Sequence, residues 1–363
     1  MKKVFAFICC LFLLTACQGK EQAYQTDYYD AFDTVISVML PANDQEDAEK
    51  KMERVHQEYL RLHKLYDNYH TYPGLNNVKT INDAAGDHPV KVEKDLYDLV
   101  EKSIENYHSK AENVNIAMGS VLKIWSDYRE GHEAGADIAG QDSGNKEEPA
   151  QVPPMADLKE AANHGNIDDI VLNKKDQTIY LKDPKMALDL GAVAKGYATE
   201  KVAQFIKEDL KIDSALISAG GNVRALGKPI EPGRKDFIIG LQNPEAIGGD
   251  GQEESNVFDR FAVQDCSVVT SGDYQRYYLV DGKKYHHLID PKTLMPGDYF
   301  RSVTIITKDS GMADFLSTAV FLMPYEEGRK LVDSMDGVEA YWIFPDLSVK
   351  YTKGFEQIRQ EQE

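Results

Sequence analysis

The stretch Leu188–Ala198 reads Leu-Asp-Leu-Gly-Ala-Val-Ala-Lys-Gly-Tyr-Ala and joins an apolar strand pattern to a run of small residues that opens a helix. Apolar residues then recur at helical spacing as far as Ile206. The beginning of a helix presents free backbone N–H groups, so this turn, with Asp189 before it and Lys195 within it, is suited to hold an anion. Small residues at such a turn also serve close packing alone, and the segment by itself does not separate the two interpretations.

A second segment, Ala215–Arg224, is an apolar strand pattern that ends in the paired glycines Gly220 and Gly221. Glycine permits a positive φ and a close approach of a ligand to the backbone. A plain tight turn would have the same sequence, so this segment alone is also ambiguous.

A third segment runs from Val269 to Pro291 and carries polar groups at both ends of a predicted hairpin. The Asp281-Gly282 pair predicts the turn, which would bring the Thr-Ser-Gly-Asp cluster at 270–273 close to the pair His286-His287. Histidine is the usual acceptor of a hydroxyl proton, and Arg276 can bind a phosphate with two hydrogen bonds. Histidines on a polar surface hairpin without any function are the alternative.

The fourth segment, Gly311–Met323, has the length and composition of a buried helix. Asp314 and Thr318 are four residues apart, so their oxygens lie on one face, a spacing able to hold one hard cation. Helix capping or mutual hydrogen bonding of the two side chains is the alternative interpretation.

The remaining pattern predicts helices and short strands around these segments. Polar stretches at Gly131–Pro154 and Asn243–Asn256 are predicted surface loops, the first of them a mobile insertion. The other predicted elements are a strand at Thr34–Leu40, a long amphipathic helix from Asp44, a helix at Glu93–His108 and a hairpin at Asp168–Leu181.

The first residues have the form of a secretory signal, with two lysines, an apolar run and small residues before Cys17. Leu14-Thr15-Ala16-Cys17 resembles the bacterial lipobox, so residues 1–16 are a predicted lipoprotein signal peptide and Cys17 the predicted lipidation site. Residues 17–27 are the predicted lipidated cysteine and tether. An ordinary cleavable signal with a chance cysteine is the alternative.

Cysteine content and charge exclude several classes. Of the 4 cysteines, three lie at or before Cys17, so Cys266 alone remains in the mature domain and no internal disulfide is expected there. The formal net charge of −19 argues against nucleic acid or an anionic membrane surface as a long-range partner.

In this order the four segments resemble the ApbE family of FAD:protein FMN transferases, over about Tyr28 to Tyr351. The resemblance implies an α+β fold, ApbE-like and T-fold-like, with two intimately joined β-rich subdomains and flanking helices, and FAD in the cleft between them. The transferase domain is predicted at 28–355, with 131–154 as its insertion.

The resemblance also implies roles for individual residues. The implied magnesium ligands are the backbone carbonyl of Ala192 and the side chains of Asp314 and Thr318, with Ser317 adjacent. The predicted FAD-binding residues are Phe32, Tyr69, Ala117, Met118, Gly119, Asp189, Lys195, Gly220, Gly221, Ser271, Gly272, Arg276, His287 and Leu288. The chain departs from the family at Phe32-Asp33-Thr34, where Met-Gly-Thr is usual, and at Leu294, where glycine is usual.

The implied reaction transfers FMN from FAD to a Thr or Ser hydroxyl of another protein and releases AMP, with Mg²⁺. His287 is the predicted proton acceptor, and Asp273 or Asp290 the predicted group that orients it. The implied acceptor is an exported or membrane-bound flavoprotein, and a lipid on Cys17 would hold the enzyme on the extracytoplasmic face of a bacterial cell membrane. The alternatives are a magnesium-dependent FAD pyrophosphatase, in which water replaces the protein hydroxyl, and a non-catalytic flavin-binding lipoprotein.

Overall fold

The computed structural model describes residues 21–133, 149–246 and 256–360. The helices of this part of the chain are α1 Gln45–Tyr66, α2 Val78–Asp83, α3 Lys94–Ser109, α4 Gly119–Arg129, α5 Met155–Ala162, α6 Ala194–Glu208, α7 Ser310–Phe321, α8 Tyr325–Asp333 and α9 Phe355–Ile358. The strands are β1 Gln22–Ala31, β2 Thr34–Ala42, β3 Val90–Lys91, β4 Ile170–Asn173, β5 Thr178–Leu181, β6 Ala215–Ala219, β7 Asn222–Leu226, β8 Phe237–Gln242, β9 Val257–Val263, β10 Cys266–Gly272, β11 Tyr277–Val280, β12 Lys283–His286, β13 Ser302–Thr307, β14 Glu339–Ile343 and β15 Val349–Tyr351.

An eight-stranded antiparallel sheet, in the order β1-β2-β6-β7-β10-β13-β14-β15, is the spine of the fold. Buried and half-exposed residues alternate along β6, as expected where only one face of a sheet is fully covered. In β13 the residues from Ser302 to Ile306 are all buried, so both faces are covered there. The hairpin of β8 and β9 packs against one of those faces through Phe261 and Ile239.

Helices α6 and α7 belong to the core on the other face. Asp309 caps α7 by accepting a hydrogen bond from the Met312 N–H at 2.7 Å, and the helix that follows is buried along almost its whole length. Asp314 and Thr318 are therefore buried polar side chains inside an apolar helix. Such groups require partners or a ligand, because an unpaired buried polar group is costly.

A three-stranded sheet, β3-β5-β4, lies in the same hydrophobic core as the large sheet. Ile179 and Leu181 of β5 share this core with Ile36 of β2 and Val303 of β13. The prediction of an α+β fold with closely joined β-rich parts is confirmed, because one continuous core stabilises both sheets.

Most of the predicted local elements are present with small shifts at their ends. The strand predicted at Thr34–Leu40 extends to Ala42, the helix predicted at Glu93–His108 spans Lys94–Ser109, and the hairpin predicted at Asp168–Leu181 is the β4–β5 pair. Asp281 and Gly282 both have positive φ, of 49° and 78°, which suits the tight turn predicted between β11 and β12.

The prediction of a tether over residues 17–27 is wrong from Gln22 onward. Residues Gln22–Ala31 form β1, which pairs with β2 at the edge of the large sheet. An edge strand with one exposed face needs few apolar residues, so its sequence resembles a polar linker. The buried hydroxyl of Tyr28 donates a hydrogen bond to the carbonyl of Met52 at 2.8 Å and ties this strand to α1.

Four predicted features lie wholly or largely outside the described residues. The signal peptide and Cys17 are outside them, as are most of the 243–256 loop and most of the 131–154 insertion, so these stay predictions. At the C-terminal end of the 131–154 insertion, the carbonyl of Gln151 accepts a hydrogen bond from the Tyr278 hydroxyl at 3.1 Å. Within the described ranges, none of the helices combines the length and the apolar character needed to cross a bilayer.

Candidate active site

A cavity of about 260 Å³ lies where the four informative segments meet. Its walls come from the turn before α6, the turn between β6 and β7, the end of β10, the residues after β12, and α7, together with α4 and the loop after α1. The predicted residues that line it are Phe32, Tyr69, Met118, Asp189, Ala192, Lys195, Gly220, Ser271, Arg276, His287, Leu288, Asp314 and Thr318. Segments far apart in the sequence thus converge on one space, as the four-segment pattern predicts.

Gly196 allows α6 to pack directly against α7 at the cavity. The Gly196 N–H is a first-turn donor with no partner inside its own helix, and it donates to Oδ2 of Asp314 at 2.8 Å. A Cβ at Gly196 would lie 2.4 Å from Cβ of Asp314 and 2.4 Å from the carbonyl oxygen of Ser310. Only glycine fits this contact, which fixes the Asp314 carboxylate against the beginning of α6.

Two carboxylates that line the cavity, those of Asp189 and Asp314, differ in their partners. Asp189 accepts hydrogen bonds from the Gly191 N–H at 2.8 Å and from Nδ2 of Asn68 at 3.2 Å, so it holds the turn that leads to α6. Burial raises the pKa of Asp189 and also that of Asp314, while the nearby Lys195 acts in the opposite direction on both. The charged form of Asp314 is therefore stabilised by a positive charge close to it.

The oxygen atoms around Asp314 fit a magnesium ion. Asp314, Thr318 and Ala192 line the same cavity, and Mg²⁺ prefers a small number of carboxylate and neutral oxygen ligands with water completing the shell. Oδ1 of the buried Asn222 has no hydrogen-bond partner in the described part of the chain, and Nδ2 of the same residue lies 3.5 Å from Oδ1 of Asp314. Such an excess of acceptors over donors is typical of a cation site.

Asp314 is the one charged side chain among the proposed metal ligands. In the described ranges, no group of three or more His, Cys, Asp or Glu side chains is arranged to hold a metal ion. Ser317 is turned away from the cavity, since its hydroxyl donates to the carbonyl of Asp314 at 3.0 Å and lies 2.8 Å from Oγ of Ser271. Ser317 thus supports the helix and Ser271, which does line the cavity.

His287 is held in the tautomer that a proton acceptor needs. Its Nδ1 lies 3.2 Å from the carbonyl oxygen of Arg276, a contact that requires the proton on Nδ1 and leaves Nε2 with a free lone pair. Burial lowers the pKa of His287 well below its usual 6.5, and the cations Arg276 and Arg129 lower it further. The imidazole is therefore neutral at pH 7.

The neighbouring His286 has a structural role. Its Nε2 lies 2.7 Å from the carbonyl oxygen of Gly297, and its Nδ1 accepts from the Leu288 N–H at 3.2 Å. Both ring nitrogens are therefore engaged, and burial lowers the pKa of His286. Of the predicted histidine pair, His287 is the member that faces the cavity.

The structure corrects the prediction that Asp273 or Asp290 orients His287. The carboxylate of Asp273 forms ion pairs with Arg301 at 3.0 Å and Lys284 at 3.4 Å. The carboxylate of Asp290 accepts from the Lys292 N–H at 2.9 Å and closes a turn. Neither is among the described residues that line the cavity, and the group that holds the imidazole is the carbonyl of Arg276.

Four further predicted residues shape the backbone around the cavity without lining it: Ala117, Gly119, Gly221 and Gly272. Gly119 passes close to another chain segment, since a Cβ there would lie 2.5 Å from the carbonyl oxygen of Ala187. Gly221 has a φ of +86° in the turn between β6 and β7, and Ala117 is fully buried.

Residues with positive φ occur at both places where the chain departs from the family pattern, 32–34 and 294. Leu294 has a φ of +60°, in the region that favours glycine, and its carbonyl accepts a hydrogen bond from Nε1 of Trp125 at 3.0 Å. Phe32 and Asp33 have φ of 57° and 48° in the tight turn between β1 and β2. Both turns therefore form with a larger side chain, Asp33 or Leu294, at the position where glycine is usual.

Several lining residues have no role predicted from the sequence, and Arg129 and Asn222 carry the most chemistry among them. Asn222 directly follows the paired glycines, so its position at a ligand turn was the available signal. Arg129 ends an amphipathic helix, where a charged residue usually faces solvent, and its spacing gave no signal.

Comparison with known proteins agrees with this site. The ApbE family model matches residues 32–342. A FAD:protein FMN transferase of Treponema pallidum is 34% identical over 76% of this chain and 72% of its own length, and one of Klebsiella pneumoniae is 30% identical over 74% and 75%. The crystal structure of the ApbE protein of Thermotoga maritima has a TM-score of 0.77 at 26% identity and covers 94% of this chain and 100% of its own. The family match spans most of the chain and the four site segments, and the chain therefore belongs to the ApbE family.

Proposed function

We propose that this protein transfers FMN from FAD to a Ser or Thr hydroxyl of an acceptor flavoprotein, with Mg²⁺, and releases AMP. The similar proteins of Treponema pallidum and Klebsiella pneumoniae carry the name FAD:protein FMN transferase. The observation that carries the proposal is the shared cavity, in which a neutral His287 and the oxygen set of Asp314, Thr318 and Ala192 face one space. A base and a cation site are what phosphoryl transfer to a hydroxyl requires.

His287 would act on the attacking group. Nε2 of His287 takes the proton of the acceptor hydroxyl, and the hydroxyl oxygen forms a bond to the FMN-side phosphorus of FAD. The bond from that phosphorus to the bridging oxygen breaks, and AMP leaves with this oxygen. Nε2 then releases the proton to solvent. The carbonyl of Arg276 keeps the ring oriented throughout, because it holds the Nδ1 proton.

The other cavity residues would bind and position the substrate. Lys195, at the beginning of α6, and the positive end of that helix dipole favour an anion, which suits the pyrophosphate of FAD. When bound by Asp314, Thr318 and the carbonyl of Ala192, Mg²⁺ would neutralise negative charge on the pyrophosphate and on the leaving AMP. Gly196 contributes by holding the Asp314 carboxylate in place.

Incubation of the protein with FAD, MgCl₂ and candidate acceptor flavoproteins tests the proposal, with the acceptor mass as the readout. The proposal predicts an acceptor heavier by FMN less one water, joined at a Ser or Thr. AMP and FMN appearing without a modified acceptor would indicate a pyrophosphatase. Bound FAD that stays intact would indicate a flavin carrier. The Asp314→Ala variant is the control for magnesium-dependent chemistry at this site.

The place of action is part of the same proposal. The lipobox-like Leu14–Cys17 supports a lipid on Cys17 and a location on the extracytoplasmic face of a bacterial membrane, where an exported or membrane-bound acceptor would meet the enzyme. Growth with a labelled fatty acid checks this. Label should appear in the wild-type protein and be absent from Cys17→Ser, and an unlabelled wild-type protein would contradict the anchor.

A further inference from the structure

Arg129 is a cation that lines the cavity. It is the last residue of α4, it is half-buried, and its guanidinium makes no ion pair with a carboxylate in the ranges that the structure describes. Its one hydrogen bond among those residues is a long contact of 3.5 Å from Nη2 to Oγ of Ser126. A guanidinium has five N–H donors, so most of its donors are left for a ligand or for water.

A second arginine faces the same space. Nη2 of Arg276 donates to the carbonyl oxygen of Asp33 at 2.6 Å, and its guanidinium also forms no ion pair with the described carboxylates. The two arginines are close enough to repel each other, since burial and then Arg276 lower the pKa of Arg129. Two neighbouring cations in a half-buried cavity are stabilised when an anion lies between them.

The position of this arginine pair relative to His287 indicates which anion it suits. The backbone of Arg276 holds the imidazole, and both arginines contribute to the depressed pKa of His287, so the pair lies around the proposed base. The proposed metal ligands Asp314 and Thr318 line the same cavity from α7. A phosphoryl group between base and metal would meet both arginines.

We propose that Arg129 and Arg276 together bind the FMN-side phosphate of FAD, the group that moves to the acceptor, with Arg129 as a positioning residue specific to this phosphate. The proposal rests on the proposed function. Guanidinium groups suit this task because they bind phosphate oxygens with two parallel hydrogen bonds and remain charged at every physiological pH. Neutral flavins without a phosphate would gain nothing from the pair.

The test compares the affinities of FMN and riboflavin, which differ by the phosphate alone, measured by flavin fluorescence in wild type, Arg129→Gln and Arg129→Lys. We expect the wild type to prefer FMN. Arg129→Gln should lose about ten- to a hundredfold of that preference with riboflavin affinity unchanged, as for the loss of a charged hydrogen bond. Arg129→Lys should keep part of the preference, because it retains the charge without the planar pair of donors that binds two phosphate oxygens in parallel.

Lys123→Gln is the matched control, because it removes one positive charge from the exposed face of the same helix, where Lys123 pairs with Asp127. It should leave the FMN to riboflavin ratio unchanged. An equal loss for both flavins in Arg129→Gln, or no preference for FMN in the wild type, would overturn the inference. The proposed function would survive either of these results if the wild type still labels an acceptor. Conversely, a wild type that prefers FMN and labels no acceptor would contradict the proposed function but not the binding of phosphate by Arg129 and Arg276.

Discussion

Replacement of Gly196 by alanine should disturb stability and metal binding together, because this glycine is the contact between α6 and α7. The new Cβ would lie 2.4 Å from Cβ of Asp314 and 2.4 Å from the Ser310 carbonyl oxygen, which belongs to the backbone and cannot rotate away. Favourable carbon contacts lie at about 3.5 Å, so the two helices must separate by about 1 Å.

The expected cost follows from that displacement. Overpacking of this kind costs about 1–3 kcal/mol, and the better helix propensity of alanine offsets at most about 1 kcal/mol. We therefore expect a net loss of about 1–2 kcal/mol in the free energy of unfolding. The 2.8 Å bond from the Gly196 N–H to Asp314 would lengthen beyond hydrogen-bond range, so Mg²⁺ affinity should fall about tenfold.

Urea unfolding gives the stability change, and calorimetric titration with Mg²⁺ gives the affinity. Gly240→Ala is the matched control, because a Cβ there makes only ordinary contacts of 3.4 Å with Val257 on β9. Wild-type stability together with wild-type Mg²⁺ affinity in Gly196→Ala would show that the contact between the two helices does not position Asp314.

Three further outcomes are expected at the site. Asp314→Ala should abolish FMN transfer and calorimetrically detectable Mg²⁺ binding, because it removes the one charged ligand; full labelling at limiting Mg²⁺ would exclude the assignment. The pKa of His287 is lowered in the folded state, so below pH 6.5 the unfolded chain binds more protons and the free energy of unfolding should fall as the pH falls through that value. In His287→Gln, urea titrations between pH 5 and 7 should show a smaller fall, and labelling of the acceptor should be slower by about a hundredfold or more. A fall of the same size in the variant would contradict the burial of the neutral ring. Asp273→Asn should cost up to about 1 kcal/mol, because it weakens part-buried ion pairs with Arg301 and Lys284, and should leave the rate of transfer intact; a large loss of rate at full stability would restore Asp273 to the site.

The parts of the site that the sequence predicts are those in which spacing determines geometry. Asp314 and Thr318 must share a helix face once their segment is helical, and Lys195 must lie at the beginning of α6 once the small residues open that helix. The order of the four segments then adds the family pattern, which brings in Ala192 and His287.

The predictions that the structure corrects concern residues whose conformation is set by tertiary contacts. The polar sequence of β1 becomes a strand because it pairs with β2, and Asp273 pairs with Arg301 and Lys284 instead of lining the cavity. Such choices depend on partners that are distant in the sequence. The same holds for Arg129, whose exposure to the cavity is set by the packing of α4 and not by its own periodicity.

In the proposed function, one cavity couples cleavage of FAD to modification of a protein hydroxyl. The most direct measurement is the ratio of AMP released to acceptor molecules modified, taken at several times in one reaction with FAD, Mg²⁺ and the acceptor. We expect a ratio of one at every time, with both products lost in Asp314→Ala. Steady release of AMP with no modified acceptor, or modification that proceeds without AMP, would contradict it.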